Sequence, residues 1–134
     1  MKIIRNKYLP FGKFGVMNLL GLLFVREEVE LTDEIINHEG IHTVQQYEIL
    51  MTSALVALVV SNIYASWWYL LIAIAMPVAL YVLAWFVELV LPPYDSAYKD
   101  SPFEREAYAN EADILYLATR KPFAWVKHFV KKRK

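Results

Sequence analysis

Two of the three histidines in this chain of 134 residues lie four positions apart, in the stretch HEGIH at residues 38 to 42. Residues four apart lie on one face of an α-helix, so His38 and His42 can present ring nitrogens to one metal ion. Glu39 is displaced by about 100° around the helix axis and would lie beside that ion. In this H-E-x-x-H arrangement the histidines bind zinc and the glutamate acts as general base towards water. The alternative interpretation is a polar helix with two structural histidines.

A zinc site that activates water usually has three protein ligands, so a third must come from elsewhere in the chain. The chain contains no cysteine, which leaves histidine, glutamate and aspartate as ligands. The remaining histidine, His128, lies in the segment 121–134, where aromatic residues are mixed with lysines. This composition predicts a basic tail at a membrane interface, and that location explains His128 better than metal binding does.

The segment DSPFEREAYANEAD, residues 100 to 113, is the stronger source of the third ligand. Ser101 suits the N-cap of a helix and Pro102 suits its first position. An apolar stripe then predicts a third-ligand helix over residues 102–118. The stripe consists of Phe103, Ala107, Ile114 and Leu117, and the acidic residues that could bind metal are Glu104, Glu106, Glu111 and Asp113.

Two interpretations of Glu104 follow from its position. Ser101 and Glu104 match a capping box, in which the Glu104 carboxylate would bind a backbone N–H instead of a metal ion. Glu104 and Glu106 flank the apolar stripe on opposite sides, so helical periodicity does not choose between them. Both remain open as the third ligand on these grounds.

Apolar residues dominate the middle of the chain. The whole sequence is 57% hydrophobic, and no charged residue occurs in the 39 positions from Ile49 to Val87. One helical crossing of a bilayer needs about 20 residues, and a soluble domain of this size could hardly bury so long an uncharged stretch. The net charge is zero, so nothing in it indicates a nucleic-acid partner. The sequence predicts an integral membrane protein.

The uncharged stretch is long enough for a transmembrane helical hairpin. Aromatic residues, which mark membrane interfaces, occur at both ends of two successive legs of 17 steps, about 26 Å of helix each. We expect one leg near 47–63, a second near 66–91, a turn around Ser61 and Asn62, and a kink at Pro77.

The distribution of positive charge predicts the orientation of this hairpin. Lysines and arginines precede and follow the uncharged stretch, whereas the far turn carries no charge. By the positive-inside rule both termini face the cytoplasm, which requires an even number of crossings. An even number would also keep His42 and Glu104 on the same side of the membrane. The alternative is a single long, tilted crossing.

The region before the H-E-x-x-H motif is predicted to be a β-hairpin over residues 14–31, with its second strand near Leu22 to Leu31. Thr32 is a plausible N-cap for the helix that follows, because the acidic residues Asp33 and Glu34 suit the first turn. That helix would carry the motif and continue into the membrane hairpin, so that both occupy residues 33–91.

The two motifs HEGIHTVQQ and EREAYANEAD together resemble the gluzincin metallopeptidases that have an E-x-x-A-D third-ligand helix. Such proteins include HtpX-type and CAAX-processing membrane proteases, the sensor proteases of β-lactam resistance, and small membrane zincins of Bacteroidetes-like bacteria. The resemblance implies that Glu104 is the third zinc ligand. Tyr108 replaces the aspartate of the family motif, and its hydroxyl could donate to a reacting carbonyl oxygen. The resemblance also implies an edge strand for extended substrate, a role that Leu22 to Val25 would fill.

These observations combine into one expectation: a mainly α membrane protein, a minimal zincin that forms a single domain over residues 1–134. Zn²⁺ would be bound by His38, His42 and Glu104, with Glu39 and Tyr108 as catalytic residues. The protein would be an integral-membrane zinc metallopeptidase acting on membrane proteins or peptides at the cytoplasmic side of a bacterial inner membrane. The alternative is a zinc-stabilised membrane scaffold or regulatory protein that cleaves nothing. Nothing in the sequence indicates an oligomeric state.

Overall fold

The computed structural model of the chain describes residues 1–12, 14–72, 74–76, 79 and 101–128. Over these residues the protein is mainly α-helical and has one small sheet, as the sequence predicts. The chain forms two compact units. One comprises residues 1–45 together with the C-terminal segment from Pro102, and the other comprises Gln46–Ser101.

The sheet has three strands, β1 (Lys2–Asn6), β2 (Val16–Leu19) and β3 (Leu22–Arg26), in the order β1-β3-β2. β2 and β3 are antiparallel, whereas β1 pairs with β3 in parallel. The sequence analysis did not predict β1. The expectation that Leu22 to Val25 is an edge strand is wrong, because β3 is the central strand and both of its edges are paired.

The structure contains the β-hairpin expected within residues 14–31. Leu20 and Gly21 connect its strands with φ angles of 48° and 82°, the left-handed pair that a two-residue type I′ turn requires. The second strand is shorter than predicted and ends at Arg26 instead of Leu31. The backbone N–H of Val29 donates to the carbonyl oxygen of Arg26 at 3.1 Å, which closes a turn directly after the strand.

Helix α1 spans Asp33–Ile63. The Thr32 side chain accepts a hydrogen bond from the backbone N–H of Ile35 at 3.2 Å, which confirms the predicted N-cap. The first predicted leg, near 47–63, ends at the same residue as α1. Ser61 lies in the last helical turn, and the chain turns at 64–65, where Ala65 has a φ of 50°.

Helical residues follow at 68–72 and 74–76. Most of the second predicted leg near 66–91, including the kink at Pro77, lies outside the described residues. Among the described residues one helix, α1, is long and apolar enough to cross a bilayer. In an 18-residue apolar window of this helix, 11% of the residues are buried.

The predicted third-ligand helix over 102–118 is interrupted. Helix α2 spans Pro102–Asn110, and a separate short helix α3 spans Tyr116–Thr119. The side chain of Asn37 in α1 explains the break, because its Nδ2 lies 3.0, 2.9 and 2.9 Å from the carbonyl oxygens of residues 110, 111 and 113. The Asn110 side chain also donates a hydrogen bond to the Glu106 carbonyl oxygen. This contact competes with the backbone hydrogen bond that would continue the helix.

Because α2 ends at Asn110, the apolar stripe predicted for this segment is only partly correct. Ala107 is fully buried, but Ile114 is 70% exposed. Leu117 is partly exposed and approaches α1 at Gly40, where an added Cβ would lie 2.8 Å from Leu117 Cδ1. A 3₁₀ helix at Ala124–His128 ends the described chain. The remainder of the predicted basic tail over 121–134 lies outside the described residues.

Candidate metal centre

The side chains of the three predicted ligands lie close together. α1 places the rings of His38 and His42 edge to face, with their Nε2 atoms 3.1 Å apart. α2 brings Glu104 to the same place, with its Oε1 3.1 Å from His42 Nε2 and its Oε2 3.4 Å from His38 Nε2. Glu104 is 3% exposed. This group could hold a metal ion, since one ligand atom from each residue lies within 4.8 Å of the others.

The two histidine nitrogens face different oxygens of the Glu104 carboxylate. His42 Nε2 lies 3.1 Å from Oε1 and His38 Nε2 lies 3.4 Å from Oε2. Zinc–nitrogen and zinc–oxygen bonds of 2.0–2.2 Å at tetrahedral angles separate neighbouring ligand atoms by about 3.3 Å. The two ring nitrogens, 3.1 Å apart, are close to that spacing, whereas binding through one Glu104 oxygen would require the carboxylate to shift.

Each histidine also has a partner on its other ring nitrogen. His38 Nδ1 lies 2.8 Å from Glu111 Oε2, and His42 Nδ1 lies 2.8 Å from Gln45 Oε1. Both partner oxygens accept hydrogen bonds, so each imidazole carries a proton on Nδ1 and directs Nε2 towards the other ligands. Metal-binding histidines in proteins almost always donate their second ring N–H in this way.

The close approach of His38, His42 and Glu104 requires positive charge between them. Two imidazole lone pairs and a buried carboxylate repel one another unless a proton or a metal cation lies among them. Burial alone would lower the pKa of His42, but its hydrogen bond with Glu104 and the charge of that carboxylate raise the pKa to about 9. The pocket therefore favours positive charge at neutral pH, either a proton on His42 or a metal ion in its place.

Glu39 lies beside this group, on the turn of α1 that also contacts the sheet. Asn18 of β2 donates to the Glu39 carbonyl oxygen and to Thr43 Oγ1, which ties the strand to the helix. Glu39 Oε2 is buried and has no hydrogen-bond partner among the described residues. Burial raises the pKa of Glu39, and the charges of His42 and His38 only partly oppose this effect. Such a carboxylate is suited to accept a proton.

The alternative ligand, Glu106, is occupied by other partners. Its two carboxylate oxygens lie 2.6 and 3.1 Å from the Arg120 guanidinium, and it also accepts hydrogen bonds from Gln45 and Tyr116. Burial would raise the pKa of Glu106, but the hydrogen bond from Arg120 and those from Gln45 and Tyr116 hold it below its usual value. The structure thus separates Glu104 from Glu106, which the sequence pattern does not.

The other residues named from the sequence lie around the group rather than in it. The Tyr108 ring stands edge to face with His38, their centroids 4.8 Å apart, and is 44% exposed. His128 lies in the 3₁₀ helix, where its carbonyl oxygen accepts a hydrogen bond from Arg105. Asp113 Oδ1 accepts a hydrogen bond from the backbone N–H of Leu115.

Sequence reasoning missed two residues that position the site, Gln45 and Asn18, and gave a third, Glu111, a different role. Gln45 lies three residues after His42, a spacing that places it on the same helix face and could have revealed it. Glu111 was named as a possible ligand but supports His38 from outside. Asn18 gave no signal beyond its place in the hairpin, because its contact with α1 depends on the tertiary fold.

The geometry predicts the effects of ligand removal. His38→Ala, His42→Ala and Glu104→Ala should each lose stoichiometric zinc, because each variant removes one of the converging atoms. His128→Ala should keep the zinc content of the wild type, since that ring lies outside the group. Mass spectrometry of metals in detergent-purified protein measures both. Wild-type zinc in Glu104→Ala would contradict the three-ligand assignment.

The chain matches no known protein family, no curated protein and no solved structure. The resemblance to gluzincin peptidases is therefore carried by the two short motifs alone. The chemical capacity of the site follows from its own geometry: two imidazoles and one carboxylate that could hold a metal ion, with a second buried carboxylate beside them.

Proposed function

We propose that the protein is an integral-membrane zinc metallopeptidase that hydrolyses peptide bonds in membrane-associated substrates. The observation that carries this proposal is the convergence of His38, His42 and Glu104 beside the buried carboxylate of Glu39. Metal ligands alone would suit a structural site. A neighbouring carboxylate of raised pKa that is not itself a member of the ligand group adds the base that hydrolysis requires.

The donor set supports zinc as the metal. Imidazole and carboxylate ligands suit this ion, and three protein ligands are the usual number where zinc activates water. When bound, zinc would supply Lewis acidity that activates water and polarises a peptide carbonyl. His38, His42 and Glu104 would hold it.

The residues around the metal would have separate roles in hydrolysis. Glu39 takes a proton from the attacking water and passes it to the departing amine. Tyr108, half-exposed at the edge of His38, is the proposed donor to the carbonyl oxygen of the substrate. The substrate chain itself would pair with β2, an edge strand that Asn18 ties to the turn of α1 carrying Glu39.

The apolar part of the chain supports a location in a membrane, which we propose to be the bacterial inner membrane. Large apolar side chains along α1 are exposed, among them Met51, Leu55 and Val59 at 70%, 64% and 53%. Tyr64, Trp67 and Trp68 cluster in and after the turn that ends α1, where an aromatic belt is expected. We propose two crossings, with both termini and the zinc site towards the cytoplasm.

The enzymatic proposal predicts the effect of Glu39→Gln. The variant keeps the size of the side chain and removes the base, so cleavage should fall by about 10²- to 10⁴-fold while zinc is retained. Glu34→Gln, an exposed position in the first turn of the same helix, is the matched control and should retain wild-type cleavage. Cleavage of β-casein by detergent-purified protein, with zinc content measured in parallel, provides the readout.

Two outcomes would contradict this prediction. Equal cleavage by wild type and Glu39→Gln would exclude Glu39 as the base. Zinc-loaded wild type that cleaves neither β-casein nor any membrane protein, as judged by comparing new protein termini in cells that express the wild type or Glu39→Gln, would favour the non-catalytic scaffold.

The membrane topology is testable because the chain has no cysteine of its own. In intact cells, Ser66→Cys should react with a membrane-impermeant maleimide, since residue 66 lies in the turn proposed to face outward. Lys121→Cys should react only after the membrane is permeabilised. Labelling of both residues in intact cells, or of Lys121→Cys alone, would contradict the proposed topology.

A further inference from the structure

A buried carboxamide, Gln45, lies between the proposed zinc ligand His42 and a buried ion pair. Gln45 is 2% exposed. Its Oε1 lies 2.8 Å from His42 Nδ1, and its Nε2 lies 3.1 Å from the Phe103 carbonyl oxygen and 3.0 Å from Glu106 Oε2. Each polar atom of this side chain therefore has a partner: the oxygen has one and the nitrogen has two.

The orientation of the carboxamide follows from what these partners can do. The Phe103 carbonyl oxygen can only accept a hydrogen bond. Glu106 forms an ion pair with the Arg120 guanidinium, and the Arg120 side chain is 2% exposed. Glu106 is therefore an ionised carboxylate, which can only accept hydrogen bonds. The two N–H groups of Gln45 must face these two acceptors, which leaves its oxygen facing His42.

The orientation of Gln45 in turn determines the proton position on His42. An amide oxygen accepts, so Nδ1 of His42 must carry the proton and Nε2 must present its lone pair to the metal position. If the amide were reversed, its N–H would face Nδ1 and the ring proton would move to Nε2, where it would block the metal.

We propose that Gln45 is a positioning residue for the metal centre, and that the Glu106–Arg120 ion pair fixes the orientation of Gln45. This inference rests on the proposed metal centre. It adds Gln45, which contacts the ligand His42, and the ion pair that contacts Gln45. His38 needs no such arrangement, because its partner Glu111 is a carboxylate, which accepts through either oxygen.

Two substitutions of Gln45 separate positioning from simple structural support. Gln45→Met removes the acceptor for His42, whereas Gln45→Glu keeps an oxygen at that place. Both variants lose the amide N–H groups that bind Phe103 and Glu106, and glutamate also adds a second carboxylate beside Glu106. A purely structural role therefore predicts that Gln45→Glu is the more damaged variant, and positioning predicts the reverse order for metal binding.

The experiment measures Co²⁺ and Zn²⁺ affinity of detergent-purified full-length protein by competition with a chelator, and the visible spectrum of the cobalt form. Gln45→Met should bind both ions about 10- to 100-fold more weakly than the wild type, with an altered cobalt spectrum. Gln45→Glu should bind more tightly than Gln45→Met and keep the wild-type spectrum. Equal affinities of Gln45→Met and the wild type, or weaker binding by Gln45→Glu than by Gln45→Met, would overturn the inference. A wild type that binds neither ion would instead refute the metal centre itself.

The outer ion pair is tested with a matched pair of arginine variants. Arg120→Met removes the guanidinium that binds both oxygens of Glu106, so the carboxylate loses the contacts that hold it against the Gln45 amide. Arg105→Met removes an arginine that donates to the His128 carbonyl oxygen instead. Cobalt affinity should fall in Arg120→Met and persist in Arg105→Met, when both are compared at a temperature where gel filtration shows folded protein. Equal affinities in the two variants would remove the ion pair from the proposal.

Discussion

Two imidazole nitrogens and a buried carboxylate face one another at 3.1 to 3.4 Å, and this arrangement calls for positive charge among them, either a proton or a metal ion. The surrounding contacts maintain this convergence. Glu111 and Gln45 hold the two rings by their outer nitrogens, so that both lone pairs point inward. The requirement for positive charge follows from these contacts together and not from any single residue type, and a metal ion could meet it.

The centre is assembled from segments that are distant in sequence but belong to one compact unit. α1 contributes two candidate ligands and the adjacent carboxylate, and α2 contributes the third candidate some 60 residues later. Asn37 joins the end of α2 to α1 through three carbonyl oxygens, and Asn18 joins β2 to the same helix. These two asparagines use polar contacts to hold elements that share few buried apolar side chains.

Local sequence patterns predict the parts of the site that depend on one helix. The i, i+4 spacing places His38 and His42 together, and the Thr32 cap marks the start of that helix. Patterns of this kind cannot choose between Glu104 and Glu106, because both border the same apolar stripe. The choice depends on Arg120, which lies 14 residues beyond Glu106 and reaches it only after the chain turns. The parallel pairing of β1 and the early end of α2 are likewise set by contacts distant in sequence.

The most direct test of the metal centre is zinc K-edge X-ray absorption spectroscopy on the detergent-purified protein. The geometry predicts a four-coordinate shell of nitrogen and oxygen at about 2.0–2.1 Å, with the outer scattering of two imidazole rings. In His42→Ala, any zinc that remains should show one ring fewer. A six-coordinate oxygen shell without imidazole scattering, or purified wild type that retains no zinc after equilibration with the ion, would contradict the assignment of His38, His42 and Glu104 as ligands.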